Sequence, residues 1–173
     1  MGEIHLYMGD GGGKTTTALG VGLRAVGHGY RVVMIQFMKG RRDIGEYRAI
    51  KERLTPLFEV FQFGREGFVD LHNPSREDYE LARKGLEFAR RVLREEPPFL
   101  LILDEINLAA AVGLVRVEDV LKLLDEVPEE TNVIMTGRHP PREFVDRADF
   151  VTVMACVKHP YCDSATAKKG LEY

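Results

Sequence analysis

The hydrophobic and polar positions of the chain alternate between short apolar runs and longer stretches of helical spacing. Residues 4–8, Ile-His-Leu-Tyr-Met, form an alternating, mostly apolar run that predicts a strand. Apolar residues then recur at helical spacing over residues 15–26, and Gly27-His28-Gly29 ends that helix. Residues 30–37 (YRVVMIQF) are β-branched, aromatic and nearly all apolar, as in a strand covered on both faces. They run into Met38-Lys39-Gly40, a turn with a basic residue at the strand's C-terminal edge. A short polar helix is predicted over 44–53; Pro56 interrupts it, and residues 58–63 alternate as a third strand.

Residues 64–74 read as a loop containing Gly67-Phe68-Val69-Asp70. Ser75 has Asp78 three residues on, a capping pattern that opens a long amphipathic helix to about residue 96, where Pro97-Pro98 stops it. Residues 99–103 (FLLIL) have a buried-strand signature and end in Asp104-Glu105. Helical stretches follow to residue 111 and over 117–126, and residues 132–135 form a fifth strand closed by Thr136-Gly137-Arg138. Pro141 suits the first turn of a helix to residue 147, and residues 150–157 alternate as the last strand.

Strands alternating with helices predict an α/β fold. The expected architecture is a single domain over residues 1–173, with about six mostly parallel strands and helices on both faces. Such sheets bind ligands at the carboxyl ends of their strands. Residues 9–15, 36–40, 64–70, 104–105 and 136–138 all emerge at that edge in this arrangement, so the candidates converge on one cleft.

Composition narrows the setting. A chain of 173 residues, 45% hydrophobic and 29% charged, is that of an ordinary soluble domain with a substantial core. A net charge of −3 argues against nucleic acid as the main partner. No apolar run approaches the roughly 20 residues of a membrane span. The first strand begins within a few residues of Met1, so no signal peptide is expected. Two cysteines do not suggest a disulfide framework, and a cytoplasmic location fits.

The chemistry is concentrated after the first strand, in Gly9-Asp10-Gly11-Gly12-Gly13-Lys14-Thr15-Thr16. Strand, glycine-rich loop, Lys-Thr and helix form the context of a phosphate loop. Glycines let backbone N–H groups converge on an anion, and the helix N-terminus adds unpaired donors and positive potential. Lys14 supplies a full charge, and the Thr15 hydroxyl suits Mg²⁺. The general pattern wants its first glycine where Met8 stands, so this loop is one residue tighter, Gly9-x-Gly11-x-Gly13-Lys14-Thr15. A glycine-rich turn of an unrelated α/β protein is the bland alternative.

Asp104-Glu105, ending an apolar strand, is the expected carboxylate partner of that loop and completes a Mg²⁺ shell begun by Thr15. Spacing leaves open which of the two binds the metal directly. Arg138 follows a Thr-Gly turn, where a guanidinium reaches phosphate oxygens or pairs with a surface acid. Arg24 sits near a helix C-terminus, where a cation is favoured in any case. Phe68 either contacts a ligand or plugs a local core. Cys156, His159 and Cys162 are spaced like metal ligands, yet a structural zinc site wants a fourth and none is nearby. No Ser-His-Asp set, acid/base carboxylate pair or protein nucleophile stands out, so a reactive group is expected to arrive on a substrate.

The phosphate loop, Arg24-Ala25-Val26-Gly27-His28-Gly29, Gln36-Phe37-Met38-Lys39-Gly40, Leu103-Asp104-Glu105, Thr136-Gly137-Arg138, Val157-Lys158-His159 and the ending Lys169-Gly170-Leu171-Glu172-Tyr173 together resemble one family. It is that of the phosphate-loop corrinoid (cob(I)alamin or cob(I)yrinate a,c-diamide) adenosyltransferases, and the resemblance runs nearly end to end. It implies that cobalt(I) of a reduced corrinoid attacks the 5′-carbon of ATP and releases triphosphate. ATP then lies reversed relative to ordinary phosphate-loop enzymes. By position, Gly11, Gly13, Lys14, Thr15 and Thr16 would hold the triphosphate, with Gly9, Asp10 and Gly12 of the same loop also in the nucleotide site. Thr15 and Glu105 would bind Mg²⁺ (or Mn²⁺) with Asp104 adjacent, and Arg24, Arg138 and His159 would serve the nucleotide. Phe68 matches a phenylalanine that presses on the corrinoid's lower face, which makes Lys14, Thr15, Glu105 and Phe68 the catalytic set. A homodimer and an electron-donating flavoprotein reductase are implied as partners.

The sequence departs from the family at Asp70, where a tryptophan is usual, and at Asp10, where asparagine is usual. The N-terminal segment that covers the corrinoid of the other subunit in longer relatives is also expected to be missing. Two further readings stand beside the transferase: a phosphate-loop ATPase or kinase releasing ADP, with Glu105 orienting water or acceptor, and a module that binds ATP or corrinoid without turnover.

Overall fold

The computed structural model describes residues 2–67, 69–158 and 168–171. Six strands form one sheet: β1 Ile4–Met8, β2 Val32–Phe37, β3 Phe58–Phe63, β4 Leu100–Asp104, β5 Asn132–Thr136 and β6 Phe150–Val153. Their order is β3-β2-β4-β5-β1-β6, and every pairing is parallel. Parallel neighbours require crossovers. These contain α1 Lys14–Gly27, α2 Gly45–Ala49, α3 Arg76–Glu95, α4 Ile106–Ala111, α5 Val117–Asp125 and α6 Arg142–Arg147.

Alternate strand residues face opposite layers. Val33, Ile35, Leu101, Leu103, Val133 and Met135 pack in one core with Leu86 and Ala89 of α3, Leu123 of α5 and Phe144 of α6. Val32, Met34, Leu100, Ile102 and Ile134 meet Ala18 and Ala25 of α1 on the other face. Strand β2 is buried at every position, the physical reason for its unbroken apolar run. Helix α3 begins as the Ser75 and Asp78 pattern predicts. Ser75 Oγ accepts from the Asp78 N–H at 3.3 Å, and Asp78 Oδ2 accepts from the Ser75 N–H at 2.8 Å.

Several boundaries differ from expectation, β2 among them, which begins at Val32 rather than residue 30. Strand β6 stops at Val153 rather than 157, because β1 ends at Met8; the Met154 N–H makes one more bond to the Met8 carbonyl at 2.8 Å. The helix predicted over 44–53 is α2 followed by a π-helical turn, Ile50–Leu54, in which Ile50 is buried. Pro141 caps α6 rather than occupying its first turn.

Because the strands run parallel, the segments after β1, β2, β3, β4 and β5 lie along one edge. The loop glycines, Lys39, Glu105 and Arg138 therefore share a rim, as the sequence predicts.

Candidate functional site

Strand β1 delivers the chain to residues 9–13. Gly9 and Gly13 hold φ of 104° and 103°, left-handed values that strain any L side chain. The Gly11 N–H donates to the Met154 carbonyl at 2.8 Å, and a side chain at Gly9 or Gly11 would collide with the backbone of Met154 or Ala155. These two glycines let the exit of β6 buttress the loop. A Cβ on Gly12, by contrast, would meet nothing within 4 Å.

Helix α1 opens with no side-chain cap and no acidic residue in its first turn. Its free N–H groups and positive dipole end are thus left for an anion. The Lys14 ammonium folds back over the loop and donates to the carbonyls of Gly9 and Gly11, each at 2.7 Å. Burial lowers its pKa, Arg138 and Lys39 push the same way, and Glu105 and Asp10 oppose them.

The centre of the site is Asp104, wholly buried at the end of β4. Its Oδ1 accepts from Thr15 Oγ1 at 2.8 Å and Thr136 Oγ1 at 2.7 Å. Its Oδ2 accepts from Gln36 Nε2 at 3.0 Å and Lys39 Nζ at 2.7 Å. Four donors fill the roughly four lone-pair positions of a carboxylate. Burial alone would raise the Asp104 pKa. The Lys39 charge and hydrogen bonds from Lys39, Thr136 and Thr15 overcome that and hold it below the usual range. Lys39 is correspondingly raised despite its own desolvation, through Asp104 first and then Glu105. Register explains the cluster: Gln36 is level with Asp104 on one side and with Gln62 on the other, and Gln62 Nε2 donates to Gln36 Oε1 at 3.0 Å.

Glu105 differs from its neighbour. It occupies a left-handed conformation, φ 63°, between β4 and α4, and its N–H is held by Thr136 Oγ1 at 3.0 Å. Among the described residues, none donates a hydrogen bond to its carboxylate. Burial raises its pKa; Lys39, Lys14 and Arg138 pull it down, and Asp104 adds to the rise. An oxygen-only donor set of the Thr15 hydroxyl and a free Glu105 carboxylate beside a helix N-terminus suits a hard divalent cation. Asp104, saturated by four donors, has no lone pair to spare for one.

The structure brings Gly9, Gly11, Gly12, Gly13, Lys14, Thr15, Asp104 and Glu105 together at this rim. Thr16 is exposed on the first turn of α1, and Asp10 is exposed with its charge felt by Lys14. Arg138 is exposed but acts on both Lys14 and Glu105. Arg24 is not in this cluster. It lies in the last turn of α1, about 15 Å along the axis from Lys14 at 1.5 Å per residue. Phe68, His159 and Cys162 lie outside the described residues, so neither the aromatic loop position nor the Cys-His-Cys spacing is placed.

Three site residues carried no assigned role in the sequence: Gln36, Lys39 and Thr136. Each is a polar residue at the end of an apolar strand or just beyond it, which was the available signal.

The whole chain, residues 1–173, matches the family model described as ATP:corrinoid adenosyltransferase BtuR/CobO/CobP. It is 32% identical over 173 residues to a corrinoid adenosyltransferase of Sinorhizobium sp, covering 99% of this chain and 80% of that one. It is 34% identical over 172 residues to a corrinoid adenosyltransferase of Escherichia coli (strain K12), covering 99% and 86%. Among solved structures, the KaiC-like protein PH0186 of Pyrococcus horikoshii OT3 superposes with a TM-score of 0.59 at 20% identity, over 89% of this chain and 71% of that one, a likeness of fold alone. With the full length matched by the family model and by relatives above 30% identity, the chain belongs to the ATP:corrinoid adenosyltransferase family.

Proposed function

We propose that the chain, as a single domain, carries out its family's reaction with Lys14, Thr15 and Glu105 as the groups that manage the leaving triphosphate. The electron pair of corrinoid cobalt(I) forms the bond to C5′ of ATP. The C5′–O bond breaks, and its pair departs on triphosphate. The nucleophile belongs to a substrate, so no protein base is needed. The chain's work is orientation and charge stabilisation.

Gly9, Asp10, Gly11, Gly12, Gly13 and Thr16 line the triphosphate with the free N–H groups of α1, and Lys14 turns from its two carbonyls to the anion. Thr15 and Glu105 would hold Mg²⁺, or Mn²⁺ in its place, which would supply positive charge to the leaving group. Arg138 supports the same charge from the rim. Arg24 is assigned to a distant part of the nucleotide, His159 to its binding, and Phe68 to the corrinoid's lower face. The supporting observation is the division between carboxylates, Asp104 saturated and Glu105 free in the field of Lys14, Lys39 and Arg138.

A homodimer is proposed, supported by Phe150, Val151 and Val153, which lie exposed on the edge strand β6. No described helix is long and apolar enough to cross a membrane. We assign the protein to the cytoplasm, with a flavoprotein reductase supplying reduced corrinoid.

Anaerobic turnover with chemically reduced corrinoid and Mg-ATP tests this, following the corrinoid spectrum and the phosphate product together. Adenosylcorrinoid with intact triphosphate is expected, falling at least about a hundredfold in Lys14→Ala, which loses a charge aimed at the leaving group. ADP and phosphate with unchanged corrinoid would overturn it in favour of an ATPase or kinase.

A further inference from the structure

Lys39 sits where the metal site and the fold meet. Its Nζ lies 2.7 Å from Asp104 Oδ2 and donates to Thr15 Oγ1 at 3.1 Å. Thr15 already donates its one proton to Asp104, so Lys39 engages a lone pair of the hydroxyl. A divalent cation on Thr15 would need a lone pair of that same oxygen and would share its surroundings with an ammonium. Two like charges this close repel.

The position of Lys39 is built into the backbone. Met38 before it adopts φ 58°, left-handed for a residue with a side chain, while its N–H is held by the Phe63 carbonyl at 3.1 Å. A side chain on Gly40 would collide with the backbone of Gly64 and Arg65. A non-glycine held at such a φ by the segment 63–65 is a feature that the surrounding structure maintains. The Lys39 side chain is nonetheless not sealed in, since 28% of it is exposed. It can swing outward without unpacking the core.

We propose that Lys39 is a resident counter-cation that excludes free divalent metal from Thr15, so that metal enters with the nucleotide. On entry the ammonium moves to the triphosphate, which offers a new anion close by. Lys39 is thus a further binding residue of the site. Asp104 then keeps Thr15, Thr136 and Gln36 as donors throughout, and Glu105 takes the metal. This rests on the reading of Thr15 as a metal ligand.

The test is Mn²⁺ binding, read from the paramagnetic resonance signal of the free ion, with and without ATP. The wild-type chain is expected to bind Mn²⁺ with ATP and, without nucleotide, at least about tenfold more weakly. Lys39→Met, of similar length and uncharged, is expected to gain at least about tenfold in nucleotide-free Mn²⁺ affinity and to lose affinity for metal-free ATP. Lys39→Gln, which still donates an N–H to Asp104, covers the case in which Met fails to fold. Wild-type protein binding free Mn²⁺ as tightly as Mn-ATP would overturn the counter-cation role while leaving the metal site standing. Folded variants with unchanged nucleotide-free affinity would do the same. No Mn²⁺ binding even with ATP would remove the metal site and the proposal with it.

Discussion

Replacing Thr136 by valine keeps the shape of the side chain and deletes one hydroxyl. That hydroxyl does two things at once. It donates to Asp104 Oδ1 at 2.7 Å, and it accepts the Glu105 N–H at 3.0 Å. Thr136 is wholly buried, so water cannot replace either bond. Asp104 keeps three other donors, so its loss is that of one charged hydrogen bond, about 1.5 kcal/mol, the low end of the usual range. The Glu105 N–H is left without its acceptor, about another 1.5 kcal/mol. A stability decrease of about 3 kcal/mol is expected in urea unfolding, or about 6–12 °C in melting temperature for a domain of this length. Since the Asp104 pKa is depressed in the folded state, its share is present above the unfolded carboxylate value, about 3.9. That share is lost as pH falls through the lower folded value. Mg-ATP affinity should fall too, because the same bond helps hold the left-handed Glu105. Thr136→Ser should recover most of both losses. A folded Thr136→Val chain within about 0.5 kcal/mol of the parent at pH 7 would refute the account of the buried cluster.

Helix α1 supplies a paired prediction of opposite signs. A Cβ on Gly22 would stand 2.5 Å and 2.8 Å from ring atoms of the buried Phe58, whereas one on Gly20 would meet nothing within 4 Å. Gly20→Ala should stabilise by about 0.5–1 kcal/mol through helix propensity alone. In Gly22→Ala, overpacking of about 1–3 kcal/mol outweighs the same gain, so denaturant midpoints should move apart; equal shifts would show that Phe58 yields freely. Asp78 has its carboxyl held below the usual range by the Arg65 guanidinium, against the opposing effect of burial, with Ser75 assisting. Its stability contribution is therefore present above about pH 4 and lost as pH falls through its folded value. Asp78→Asn should lose about 1.5 kcal/mol at pH 7, and the gap to wild type should narrow below pH 4 in urea titrations. A gap that stays constant to pH 3 would remove the charge from the explanation.

The legible parts of the fold are those with local causes. Ser75 and Asp78 announce α3 because a cap is a contact three residues long. Strand β2 reads as doubly covered because burial on both faces leaves no polar position. The overrun of β6 has a non-local cause. The alternation of Val151, Val153 and Ala155 continues, but the partner strand has already ended, and nothing in residues 150–157 records that. The site divides in the same way. Lys14, Thr15 and Asp104 follow from motifs, whereas Gln36 and Thr136 join Asp104 only through the order β3-β2-β4-β5-β1 and its register. Arg24 shows the converse, since motif likeness groups it with the nucleotide and the rise of the helix carries it away from the loop.

The two carboxylates at the end of β4 explain why this rim suits adenosyl transfer better than phosphoryl transfer. A hydrolase or kinase needs a group free to align water or an acceptor at the γ-phosphate, in addition to one that serves the metal. Here Asp104 holds donors from three segments: the start of α1, the end of β2 with its exit, and the end of β5. Thr15, Gln36 and Thr136 stay on it even when Lys39 turns to the triphosphate, which makes it an anchor for the strand ends. Glu105 is the free member of this pair, and the metal role proposed for it would consume it. Phosphoryl chemistry would then leave one of its two tasks unfilled at the end of β4. Attack at C5′ by a substrate's own cobalt asks only that the triphosphate be held and neutralised, which is the task proposed for Lys14, Thr15, Glu105 and the start of α1.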